Sequence, residues 1–318
     1  TPTPTNTSGQ DEDDWNNLEW SINYHDNFSN ETKDTLVRAT QRWSQVVNNT
    51  RTVQIDVHNL PEDDSAPGGI LAGASMDAVD NIEYLPTRGT IYIDQNDLDG
   101  NGADLNSDDP EDLIPIYEYN LQPIFDENGN ETGQSEIVET LVGHETKLYY
   151  TLLHEVGHIL GIGSLWNWPL TSDGVVGDIT ESRKLLYDGD TDELVDIWDP
   201  DRYVNVTNPV YKGEKGVAGY NWYFFTEWDE DTTWLEPDSV GTPTTPVAAF
   251  PVENDGGAGT AHSHPEEDDD TPRFYQSSLI PGLEEEIMTG FINPEQHMPL
   301  SRISIGMLED LGWDVNYA

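Results

Sequence analysis

Between Glu31 and Val47 the positions Leu36, Thr40, Trp43 and Val47 return at three-to-four spacing, and the polar run Asn48, Asn49 and Thr50 closes the segment. That period predicts a helix with one buried face. Val53, Ile55 and Val57 then alternate with polar residues, the period of a half-buried strand. Gly68 and Gly69 punctuate the chain before the apolar run 70–74, and 90–93 reads as a further strand. A second, more apolar helix is predicted over Leu148 to Leu160. Beyond Gly163, Gly, Pro, Asp and Trp are scattered with little periodicity until Ser301 to Leu311, so that stretch reads as loop. No internal repeat is present. Strands grouped between two helices predict an α+β fold with three segments: a Thr/Pro-rich linker over 1–16, an N-terminal lobe over 17–163, and a loop-rich lobe over 164–318.

Composition sharpens this picture. A chain of 318 residues with 35% hydrophobic content can bury a sizeable core. Thirteen basic against 62 acidic residues leave a net charge of −49. Such a surface repels phosphate backbones and anionic lipid, which excludes nucleic acid as an expected partner, and it favours cations. Self-repulsion of this size opposes compaction unless salt or divalent ions screen it; read more simply, the acidic excess is a solubility device. No stretch approaches the roughly 18 to 20 apolar residues that span a bilayer, and no signal peptide stands at the start, so the sequence reads as a mature fragment with room for a further domain before the linker. The absence of cysteine removes disulfides, thiolate metal sites and cysteine nucleophiles, so any bound metal must rest on His, Asp or Glu. Asn-x-Ser/Thr sequons at Asn6, Asn27, Asn30, Asn48, Asn130 and Asn205 matter only in a glycosylating cell.

The second helix carries the candidate chemistry. Leu148, Tyr149, Leu152, Leu153, Val156, Ile159 and Leu160 fall on one arc of about 140°, and His154 and His158 lie within about 40° of each other on the opposite side. One turn apart, two imidazoles can share one ion at about 2.0 to 2.1 Å. Glu155 lies between that pair and the apolar arc, placed to take a proton from water without ligating the metal. Gly161 and Gly163 offer a left-handed end to the helix. The bland alternative is a chance His-Glu-x-x-His on an amphipathic helix, with both imidazoles merely solvated. His144-Glu145 lacks a second His at that spacing and reads as an ordinary polar helix start. A catalytic zinc normally has three protein ligands, so a third is needed. His25, His58, His262, His264 and His297 are the candidates, with His58 reading as structural and His25 and His297 as surface residues. Spacing does not choose between His262 and His264, and the acids after them could orient an imidazole.

His154-Glu155-Val156-Gly157-His158-Ile159-Leu160-Gly161 resembles the metzincin metallopeptidases. Ser164 stands where most of that clan would carry the third histidine. The exit Gly161-Ile162-Gly163-Ser164-Leu165-Trp166 is similar to the leishmanolysin-like branch, whose third histidine follows a long insertion. Gly259-Thr260 with Ser263-His264 resembles that branch's third-ligand segment, which implies His264, although Pro265 replaces an expected aromatic residue. Glu286 to Gly290 resembles the Met-turn, with Met288 as a packing residue beneath the metal. Leu300 to Trp313 is similar to the closing helix, and Gly89 to Asp94 to the strand lining the substrate cleft. The resemblance implies a metzincin-like fold: a twisted mixed sheet and long active-site helix in an upper lobe, and an irregular lower lobe ending in a C-terminal helix. It also implies an extended peptide lying antiparallel to an edge strand.

A second cation site is expected from the run Asp97 to Asp108, where Asp97, Asp99, Asn101 and Asp108 match calcium-loop spacing with Gly102 at the sixth position. The final Asp in place of Glu and the missing flanking helices depart from an EF-hand, and a solvated acidic turn is the alternative. Asp188, Asp190 and Asp192 alternate similarly but lack the glycine. Together these features lead to the expectation of an extracellular or cell-surface zinc-dependent endopeptidase, with Glu155 as general base, Zn2+ on His154, His158 and His264, Ca2+ in the acidic loop, and a protein or peptide substrate. A non-catalytic calcium-stabilised adhesion or structural module, or a zinc hydrolase of non-peptide substrates, would share the fold.

Overall fold

The computed structural model describes residues 18–61, 71–98, 105, 107, 113–125, 131–167, 183–195, 206–224, 245–254, 260–267, 273–283, 286–291 and 298–317. The linker over 1–16, Asp99, Asn101, Asp108 and His297 lie outside them. The elements run β1 (Leu18–Tyr24), α1 (Asn30–Ser44), β2 (Arg51–Asn59), β3 (Ala72–Val79), β4 (Pro86–Ile93), α2 (Gln95–Leu98), β5 (Ile114–Phe125), β6 (Glu131–Glu145) and α3 (Lys147–Ile159). They continue through β7 (Leu186–Asp188), β8 (Pro209–Tyr211), α4 (Glu214–Trp222), β9 (Phe250–Pro251), β10 (Phe274–Tyr275), β11 (Ser278–Leu279) and α5 (Arg302–Asp310). The fold is mixed α+β with open sheets and no barrel.

The main sheet has the order β1-β2-β4-β3, with β1, β2 and β4 parallel and β3 antiparallel at one edge. The strand resembling the cleft-lining one is therefore β4, flanked on both sides, and the sheet's edge strands among the described residues are β1 and β3. Val53, Ile55 and Val57 of β2 are fully buried, as their alternation requires.

Helix α1 starts where Ser29 accepts a hydrogen bond from the Thr32 amide, and it buries Leu36, Ala39, Thr40 and Trp43. The Trp43 indole N–H donates to Leu153 O at 2.8 Å, fastening α1 to α3. On its other side α3 presses against β4, where a Cβ on Gly89 would stand 2.2 Å from Ile159 Cδ1. Contacts cross the boundary expected at residue 164. Val47 bridges Val315, Asn48 N–H donates to Asp314 O at 2.8 Å, and the Trp313 indole donates to Leu160 O at 2.9 Å.

Three readings of the sequence are corrected. His144 and Glu145 end strand β6, and α3 begins after them with Thr146 as its N-cap. The paired strands β5 and β6 were not foreseen, because Pro115 and Pro123 interrupt the pattern. Helix α4 falls in the stretch read as loop; its Gly216 and Gly219 lower helix propensity but let it cross α5 at backbone contact. A Cβ on Gly219 would lie 2.5 Å from Arg302 O, and one on Gly306 2.4 Å from Lys215 O.

Candidate metal centre

Helix α3 supplies His154 and His158. The helix is not half-solvated, as its amphipathic pattern suggested: all but two of its residues are buried, and His154, Glu155 and His158 are 7%, 6% and 8% exposed. Its end is a Schellman motif, in which Gly161 N–H donates to His158 O at 3.0 Å and Ile162 N–H to Gly157 O at 3.1 Å. Gly161 takes φ +106° and Gly163 φ +74°, the left-handed conformations that the sequence suggested. Ser164, at the position of the missing third histidine, donates its hydroxyl to His158 O at 3.0 Å.

The third imidazole comes from His264. Its Nε2 lies 3.1 Å from His154 Nε2 and 2.8 Å from His158 Nε2, and the two helical Nε2 atoms are 2.9 Å apart. These three residues form one group able to hold a metal ion, and all three are buried. The protons decide what the triangle is. Each Nδ1 stands within hydrogen-bond reach of a main-chain carbonyl: Ile287 O at 2.7 Å for His154, Ile162 O at 2.9 Å for His158, and Thr260 O at 2.8 Å for His264. A carbonyl only accepts, so each proton sits on Nδ1 and each Nε2 turns a lone pair toward the other two. Three buried acceptors facing one point cannot satisfy each other, and a cation resolves them. Imidazoles sharing a tetrahedral zinc at about 2.0 to 2.1 Å stand roughly 3.3 Å apart, close to the spacing here.

Electrostatics agree with a neutral donor set. Burial, with the neighbouring His158, brings the His154 pKa down to about 3. Burial lowers His158, and burial with both partner imidazoles holds His264 well below the usual range. Metal binding needs neutral imidazole, so the fold already favours the ligating form. Burial pushes Glu155 up to about 8, and among the described residues it makes no hydrogen bond or ion pair.

The carbonyls that orient the imidazoles belong to three separate turns that no sequence pattern marks. Of the acids following His264, expected to do this, Glu266 pairs with Arg273, and 268–270 lie outside the described residues. Ile287 O is held by its neighbour Glu286, a fully buried carboxylate that accepts from Met288 N–H at 2.6 Å and from the hydroxyls of Ser301 at 2.7 Å and Ser304 at 2.5 Å. Burial raises the Glu286 pKa. Met288 packs beneath the ligand helix, its Sδ only 2.3 Å from where a Cβ on Gly157 would stand. The His264 strand is fixed by pairing, with Glu253 N–H donating to His264 O at 2.9 Å and Val252 bridging Pro265. In that register His264 O and Glu266 N–H carry the pairing, so the missing N–H of Pro265 costs nothing there.

The remaining candidates are elsewhere. His262 takes φ +66° and turns its Nε2 to Val206 O at 3.3 Å. His25 and His58 stack on each other at 4.3 Å, outside the metal group, with His25 bonded to Asp56. Asp97 lies fully buried in α2. Among the described residues no helix is long and apolar enough to cross a membrane. No protein-family model matches the chain, and no curated protein or solved structure matches it.

Proposed function

We propose that the protein is a secreted zinc-dependent endopeptidase built on the leishmanolysin-like variant of the metzincin plan. One observation carries this reading: three tautomer-fixed imidazole lone pairs meet at a point, and a buried carboxylate without a partner stands next to the first of them. Zinc held on His154, His158 and His264 would polarise a peptide carbonyl and make an attacking water more acidic. Glu155 takes the proton from that water and hands it to the leaving amine. Its dry surroundings hold its affinity for the proton near neutrality, where a general base works best. A peptide substrate would extend the main sheet along the outer edge of β3, against which α3 packs.

The test pairs metal analysis with hydrolysis of casein. Wild type should carry zinc near stoichiometry and lose activity reversibly to a chelator. Glu155→Ala should keep the zinc and lose at least about 100-fold in rate, the usual worth of an acid–base residue. Full hydrolysis by that variant, or a wild type that binds no zinc, would overturn the proposal.

A further inference from the structure

We propose that Asp94 and Asp97 form a calcium site that braces the start of α3. Asp94 follows directly on β4, and its side chain is fully buried. Its Oδ1 accepts the Asn96 amide at 2.8 Å, which folds the carboxylate over the turn that carries Asp97. Its Oδ2 is buried and has no hydrogen-bond partner, and no Lys, Arg or His pairs with Asp94 among the described residues. Asp97, three residues on, is buried to the same extent. A bare carboxylate oxygen such as Asp94 Oδ2 is strongly unfavourable in the interior. A cation bound there removes that penalty.

Donor chemistry selects the ion. Carboxylate oxygens suit a hard divalent cation and not the ion of the imidazole centre. The calcium-like spacing that starts at Asp97 is an independent feature of the sequence, and Asp94 did not belong to it. The turn also reaches the metal helix. Leu105 N–H donates to Asp97 O at 3.0 Å, and Leu148 N–H donates to Leu105 O at 3.0 Å. Leu148 lies in the first turn of α3, where amide groups have no acceptor within the helix. An ion on the two acids thus fixes Asp97, Leu105 and the start of α3 in sequence. The site stands independently of the zinc reading.

The experiment is calcium titration of the full chain after exhaustive dialysis, read by calorimetry and by the thermal unfolding midpoint. Wild type should bind calcium and unfold at higher temperature in its presence. Asp94→Asn should need about tenfold more calcium for the same rise. Without calcium it should unfold no earlier than wild type, because the substitution removes an unpaired buried charge. His264→Ala should keep the calcium response, which separates this site from the imidazole centre. If Asp94→Asn does not fold, Asp97→Asn is read in the same titration. A wild type indifferent to millimolar calcium, or variants that respond as wild type does, would overturn the proposal.

Discussion

Three imidazoles aim at one point because each has its outer proton committed to a carbonyl, and this separates His264 from His262 although they are two residues apart. Elemental analysis of purified variants should find His264→Ala largely free of zinc and His262→Ala close to wild type. The reverse result would move the ligand. A pH-dependent effect is expected at Asp80. Burial would raise its pKa, but the amides of Glu83 and Ile82, the Arg51 guanidinium and the Leu85 amide outweigh that and hold it at about 2, against 3.8 unperturbed. A carboxylate lowered by folding contributes stability above its unfolded pKa and loses it as pH falls through the folded value. Asp80→Asn should therefore lower the thermal midpoint at neutral pH, and the difference should vanish as pH falls from about 4 toward 2. His154, Glu155 and His158 were legible in the sequence because four residues make one helical turn. His264 lies 106 residues beyond His158, so no local spacing points to it and only the family resemblance did. The orienting groups of Ile162, Thr260 and Ile287 were illegible, since every residue carries the same carbonyl.

At the scale of elements, the end of α3 matters as much as its face. Gly163 combines φ +74° with a position where a Cβ would stand 2.2 Å from Ser263 O, so it admits the third-ligand segment against the helix exit. Gly163→Ala should cost about 1 to 3 kcal/mol by denaturant unfolding and weaken zinc binding, because the obstacle is backbone. Equal stability and affinity would mean that the segment can retreat without disturbing His264. Helices α1 and α3 were readable because each keeps a regular apolar period. Strand β2 was readable from its alternation, β1 went unread although it alternates, and prolines break the run in β5. In the second half, Gly216, Gly219 and Gly306 serve close helix packing and erase the very period that would announce it. The segment Glu286 to Gly290, which resembles a Met-turn, is short and irregular, and its sequence signal came from likeness alone. Its role here is physical: Glu286 ties it to the first turn of α5 through Ser301 and Ser304.

Across the described residues, several of the few basic side chains sit at joints. Arg38 meets Glu145 between α1 and the end of β6, Arg51 joins Asp80, and Arg273 pairs with Glu266 beside the third ligand. The remaining acidic excess acts as self-repulsion, and among the described residues one continuous apolar core opposes it. Removing the metal should therefore be felt far from the imidazoles. Stripping zinc with a chelator should lower the thermal midpoint and expose the chain beyond α3 to proteolysis before the main sheet; an unchanged digestion pattern would deny this. The reason lies in the distance along the chain between His158 and His264. An ion gripping both closes a ring of 106 residues in a protein with no cysteine, a constraint worth about 4 to 5 kcal/mol if it acts as a disulfide of that span does. On the proposed reading the ion would be a reversible staple as well as a reagent, and a medium that takes it away would both silence the chain and untie it.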